Sequence, residues 1–210
     1  MLDTKNKQTE EKNTALSCKE KDDGRLAVRS GKECAYLALF VALVLAAQLA
    51  FSALPGVEVV TVLFVGYAFV FGVRRGMIAA TAFSLLRQLI FGFSPTVLIL
   101  YLFYFNGLTA LFGALGRVVK KPLFALWWIV LIACVCTACF TMLDNILTPL
   151  WYGFSKRATK AYITASLPFM IPQLICTALS VGLLFLPLQK TFSLVGKSLL
   201  KERKKQKKED

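Results

Sequence analysis

The chain has 210 residues, 57% of them hydrophobic and 18% charged, with a mean hydropathy of +0.62 and a formal net charge of +13. A soluble domain carries about a quarter charged residues, and here the apolar residues form long runs instead of amphipathic patterns, so the solvent of this chain is lipid. The positive charge does not indicate nucleic acid: Met1–Lys32 and Lys190–Asp210 hold eight Lys or Arg each, as basic tails beside membrane spans do, and no basic, aromatic groove accompanies them.

Residues 1–33 read as a polar, basic cytoplasmic tail, expected to be disordered. The first apolar run begins only after this tail, too late for a secretory signal, and is expected to be a retained span. Cutting the apolar runs at Pro, Gly and charge predicts six helices over about 34–54, 57–73, 76–93, 95–117, 122–149 and 160–187. The expected class is therefore an all-α integral membrane domain of six transmembrane helices, 34–190, followed by a basic cytoplasmic tail, 191–210. Short connections at Pro55-Gly56, Arg74-Arg75 and Ser94-Pro95 make neighbouring spans antiparallel.

Basic residues orient the bundle. With both termini inside the cell membrane, the inner turns carry Arg74, Arg75, Arg117, Lys120 and Lys121, and the first two outer turns carry no Lys or Arg. The last outer loop departs from the rule with Lys156, Arg157 and Lys160.

Between Cys34 and Leu200 there are only two acids, Glu58 and Asp144. In this topology both fall toward the outer face, as do Arg87 and Gln48. An ionised group at the centre of a span costs about 2.5–3.5 kcal/mol and less near an interface, so buried polar groups gathered in one leaflet suggest a binding site. The hairpin Pro55–Glu58 with Gln48 is expected to close one side of an outer pocket. Arg87, Gln88, Asp144 and Asn145 are expected to add polar contacts, with Trp151 and Tyr152 near its mouth. The plainer reading of the same residues is an Arg87–Asp144 ion pair that joins helices.

The first span also carries Ala38, Ala42, Ala46 and Ala50 at intervals of four, a stripe that lets another helix approach closely in lipid, and Gly107, Ala110 and Ala114 form a similar face on the fourth. Cys134 and Cys136 point about 200° apart on a helix, so with Cys139 they read as small packing residues rather than metal ligands. There is no histidine and no phosphate-cradling, zinc-protease or nucleophile-elbow motif. No enzymatic activity, cofactor or metal is expected.

Two stretches resemble a known family. "AAQLAFSALPGVEVVTVLFVGYAFVFGVRRG", residues 46–76, and "AYITASLPFMIPQLICTALSVGLLFLPLQKTF", residues 161–192, are similar to the first-to-second-helix segment and the final helix of substrate-binding (S) components of energy-coupling factor (ECF) vitamin transporters. The likeness covers about residues 34–190. It implies a six-helix S-component bundle with both termini cytoplasmic, which captures a vitamin or related small molecule near the outer face. It also implies partners: a transmembrane coupling protein, docked through the Ala38, Ala42 and Ala46 stripe, and two ATPase subunits that hydrolyse ATP. The first outer loop, Leu54–Glu58, would help cover the ligand. Gln173 and Thr177 stand where relatives often have His and Asn, which leaves the substrate open. An autonomous small secondary transporter or channel, and a non-transport membrane adaptor, are the other function classes compatible with the composition.

The charge distribution predicts that single cysteines in either tail or at Arg74 resist labelling by a membrane-impermeant reagent in intact cells, while one at Ser155 reacts. Labelling of a tail from outside would reverse the topology.

Overall fold

A computed structural model describes residues 31–52, 59–119 and 123–209. Among these residues six helices follow in order: α1 (Gly31–Phe51), α2 (Val59–Phe71), α3 (Val73–Phe91), α4 (Pro95–Val118), α5 (Leu126–Trp151) and α6 (Lys156–Glu209). No strand occurs among the described residues. Four of the helices, α1, α4, α5 and the part of α6 up to Leu199, are long and apolar enough to cross a membrane. The chain is thus an all-helical protein of membrane-embedded character. Of the other two, α2 has only 13 residues, and α3 carries Arg74, Arg75 and Arg87.

Backbone chemistry sets the breaks. Gly72 (φ 84°) separates α2 from α3 and Gly92 (φ 89°) follows α3, both in a left-handed conformation that side chains disfavour. Pro95 then opens α4, where its missing N–H costs no helical bond. Arg74-Arg75, expected as a turn, lies inside the first turn of α3, because charge alone does not interrupt a helix and the adjacent glycine does. The last helix is longer at both ends than 160–187. It passes through Pro168, Pro172 and Pro187 and continues to Glu209, since each proline removes one backbone hydrogen bond but leaves the flanking turns intact. The Pro55-Gly56 turn, Glu58, Lys120 and Lys121 lie outside the described residues.

Helix α2 stands at the centre. It is apolar all round, as a helix surrounded by others must be, and Thr61 through Phe69 and Phe71 are all buried. Phe64 meets Phe40 of α1 (ring centroids 5.6 Å apart), Phe83 of α3 (5.3 Å) and Phe105 of α4 (4.8 Å). On its other flank, Tyr67 approaches Phe192 (5.8 Å) and Phe69 approaches Phe185 (5.2 Å), both of α6.

The bundle has two distinguishable ends. At one, Glu33 at the start of α1 pairs with Arg75 at the start of α3 (3.1 Å), with both side chains buried. The end of α4 and the α6 residues near Gly196 approach the α2–α3 turn there as well. At the other end lie the close of α1, the α3–α4 turn and the α5–α6 turn.

The approach of α4 to the α2–α3 turn needs glycine. A Cβ on Gly113 would sit 2.6 Å from the Val73 nitrogen, and one on Gly116 would press into the Phe69 carbonyl. The small face anticipated on α4, Gly107, Ala110 and Ala114, is rotated away from this contact: Gly107 has nothing within 4 Å of a Cβ and Ala114 is exposed. Gly113→Ala and Gly116→Ala should therefore each lower stability by about 1–3 kcal/mol, or about 2–12 °C in thermal midpoint. Gly107→Ala should leave the midpoint unchanged or raise it. Thermal unfolding in detergent checks the contrast, and equal effects at all three sites would refute the close-packed seam.

Candidate functional site

The face of α1 that enters the core is written by its buried residues: Glu33, Leu37, Phe40, Val41 and Val44 recur at helical spacing, and Gln48 continues that line one turn later. On α3, Phe83 and Ser84 are buried, and Arg87 follows on the same face. The two polar residues thus converge because each occupies the next core-facing position of its helix, close to the helix end.

They line one cavity of about 370 Å³. Its other walls are Ala47, Phe51 and Ser52 of α1's end, Val59 and Val60 at the start of α2, Phe91 of α3, Tyr101, Tyr104 and Phe105 of α4, and Phe140 of α5. The Gln48 Nε2 donates to the Tyr101 hydroxyl (3.2 Å), whereas Gln48 Oε1 is buried with no hydrogen-bond partner among the described residues. The Arg87 guanidinium carbon lies 4.3 Å from the Tyr101 ring centroid and 4.9 Å from that of Phe91. Arg87 Nε is likewise buried and has no partner among the described residues. Rings supply most of the remaining wall: Phe140 packs on Tyr104 (4.6 Å) and Tyr101 (5.8 Å).

The other anticipated residues are distributed differently. Gln88 is buried, but its Oε1 accepts the Ser94 backbone N–H (3.0 Å), so it closes the α3–α4 turn and does not line the cavity. Asp144 faces α6: one carboxylate oxygen accepts from the Tyr162 hydroxyl (2.7 Å) and the other from Thr148 Oγ1 (2.9 Å). No ion pair joins it to Arg87 among the described residues, so neither the shared Arg87–Asp144 pocket nor the Arg87–Asp144 strut forms. Asn145 is only 3% exposed and sits on the buried stripe Ile129, Ala133, Thr137, Asn145 and Pro149 of α5, with both amide atoms unpartnered and no place in the cavity wall. Trp151 and Tyr152 are exposed at the α5–α6 turn and do not line the cavity either. Glu58, next to Val59 in the chain, lies outside the described residues. Ala38, Ala42 and Ala46 are all exposed, on the side of α1 turned away from the core.

No family model, curated protein or solved structure matches this chain. The site is therefore read from its own chemistry: a cation held between rings, an amide with a spare acceptor and an aromatic wall, all at one end of an apolar bundle. The aromatic residues were not singled out from the sequence, since Phe alone occurs 17 times. A signal exists in "YLFYFNG" of α4, where Tyr101 and Tyr104 place two phenols on adjacent turns of an apolar helix. In lipid, a phenol needs a polar partner.

Gln173 and Thr177 belong to a separate polar seam between α5 and α6. Thr141 Oγ1 donates to Gln173 Oε1 (3.2 Å), and the Thr137 and Thr177 hydroxyls are 3.2 Å apart. The Asp144–Tyr162 bond extends this seam toward the α5–α6 turn. Tyr162→Phe and Asp144→Ala should each lower the thermal midpoint in detergent, and the double variant should fall by less than their sum, with a coupling of about 0.5–3 kcal/mol. Strict additivity would show that the two groups do not interact.

Proposed function

We propose that the chain is the membrane-embedded substrate-capture subunit of an ATP-driven importer of the energy-coupling factor type, binding a vitamin or related small molecule near the outer face. The observation that carries this reading is the cavity containing Gln48 and Arg87 at the end of the bundle opposite the Glu33–Arg75 pair. Its volume, about 370 Å³, falls within the range of small-molecule sites, whose walls are mostly apolar with a few placed polar groups. The membrane domain is a bundle of six transmembrane helices in this reading, with both termini cytoplasmic, and the cavity end facing outward. An ionisable group inside a helical membrane protein points to a functional site, and Arg87 meets no carboxylate along the cavity wall among the described residues.

The remaining parts fit the same role. The exposed Ala38, Ala42 and Ala46 leave α1 a flat outer stripe, against which a transmembrane coupling protein can pack closely. ATP hydrolysis belongs to two separate subunits, and this chain catalyses no reaction. A self-contained carrier would place its polar site near the midplane between repeated halves. Here the site sits at one end, between the close of α1 and the start of α2.

Two measurements test the reading together. The purified chain should carry a small molecule identifiable by mass spectrometry, and Ala42→Trp should retain that molecule while losing copurification of the coupling protein and ATPases. Retention of both ATPases and uptake by Ala42→Trp would remove the assigned partner surface.

A further inference from the structure

Arg87 poses an electrostatic problem that its own surroundings leave open. A guanidinium within an apolar bundle requires an anion or a set of acceptors, and none of the described residues lining the cavity is a carboxylate. Its two close neighbours are rings, Tyr101 and Phe91. Rings engage the face of the planar cation and leave its N–H edge available, and Nε on that edge is unpartnered. An edge of that kind matches the planar, two-oxygen geometry of a carboxylate.

Gln48 adds a second requirement. Its Nε2 is committed to the Tyr101 hydroxyl, which fixes the amide plane and leaves Oε1 as a buried acceptor lacking a donor. A ligand group that donates N–H or O–H satisfies it. The third requirement comes from the wall: Tyr101, Tyr104, Phe105 and Phe140 form a continuous set of ring contacts, with neighbouring centroids 4.6 to 5.8 Å apart. A flat ring stacks on such a surface at small entropic cost. The volume of about 370 Å³ lies near the lower end for ligand sites and excludes cargo on the scale of a corrinoid.

We propose that the cavity takes a compact, planar aromatic or heteroaromatic carboxylate bearing an N–H or O–H donor, with its carboxylate on Arg87, its donor on Gln48 Oε1 and its ring against the tyrosine and phenylalanine wall. This rests on the capture reading above and narrows its substrate class. Neutral and cationic vitamins are disfavoured by the same chemistry, because they would leave the guanidinium without a counter-charge among the described residues.

The test uses the full-length chain in detergent, freed of copurified molecules, and calorimetry with four probes: para-hydroxybenzoate, its methyl ester, benzoate and cyclohexanecarboxylate. The para-hydroxy acid should bind with a Kd of about 0.1–1 mM. The ester, without charge, and the cyclohexane acid, without a flat ring, should each bind at least about tenfold more weakly. Benzoate, without the donor, should be weaker than the para-hydroxy acid, and Gln48→Met should erase that difference. Arg87→Gln should weaken the para-hydroxy acid about 10- to 100-fold with the thermal midpoint retained. An ester that binds as well as the acid, or an Arg87→Gln variant with unchanged affinity, overturns the proposal. So does a Glu58→Gln variant whose stability loss is non-additive with that of Arg87→Gln, since Glu58 would then be the counter-ion. A copurified molecule that is neutral or cationic overturns this substrate class and leaves the capture role standing. Absence of any bound molecule, together with no recovery of a coupling complex, removes the capture role itself.

Discussion

Phe64 touches a ring from each of three other helices, and the two turns of α2 around it are buried on every side. In lipid, no hydrophobic force draws apolar helices together, because the surrounding tails are as apolar as the helix faces. What remains is close packing, to which well-oriented ring pairs add about 0.5–1.5 kcal/mol each. The helices α1, α3, α4 and α6 all find such contacts on α2, either at Phe64 or at Tyr67 and Phe69. Their mutual placement follows from this shared centre. The glycines of α4 serve the same end, bringing its backbone against the α2–α3 turn where any side chain would hold it off.

Polar groups in the bundle divide into two kinds. Most are matched in pairs across helix contacts: Glu33 with Arg75, Thr81 with Asn106 through two bonds of 3.3 Å, Thr137 with Thr177, and Asp144 with Tyr162. These are fastenings, and each satisfies groups that lipid could not. Gln48 and Arg87, like Asn145, keep a buried atom without a partner among the described residues, and unlike Asn145 they border the cavity.

The sequence made the helical bundle readable because lipid-facing and buried helices alike are written as apolar runs, and because Gly72, Gly92 and Pro95 punctuate them. It misled at the last helix, whose end was read at Pro187, whereas the helix runs on through that proline, as it does through Pro168 and Pro172, to Glu209. Depth along a span was readable, and so Gln48 and Arg87 were placed at one level. Azimuth around the helix was not, which is why Asp144 and Asn145 were assigned to the same pocket although Asp144 turns to Tyr162 on α6. A charge counted in a leaflet has no direction until its helix is packed. Aromatic walls were hidden for another reason, since a Phe that lines a cavity and a Phe that fills the core are the same letter.

The brevity of α2 has a geometric consequence. Thirteen residues of helix span about 20 Å, some 10 Å less than the hydrocarbon thickness that its longer neighbours match. Over that described length α2 meets rings from four helices, and Val59 and Val60, its first described residues, border the cavity. The cavity wall can thus be altered at Val59 and Val60, a turn away from the ring contacts around Phe64, without disturbing them.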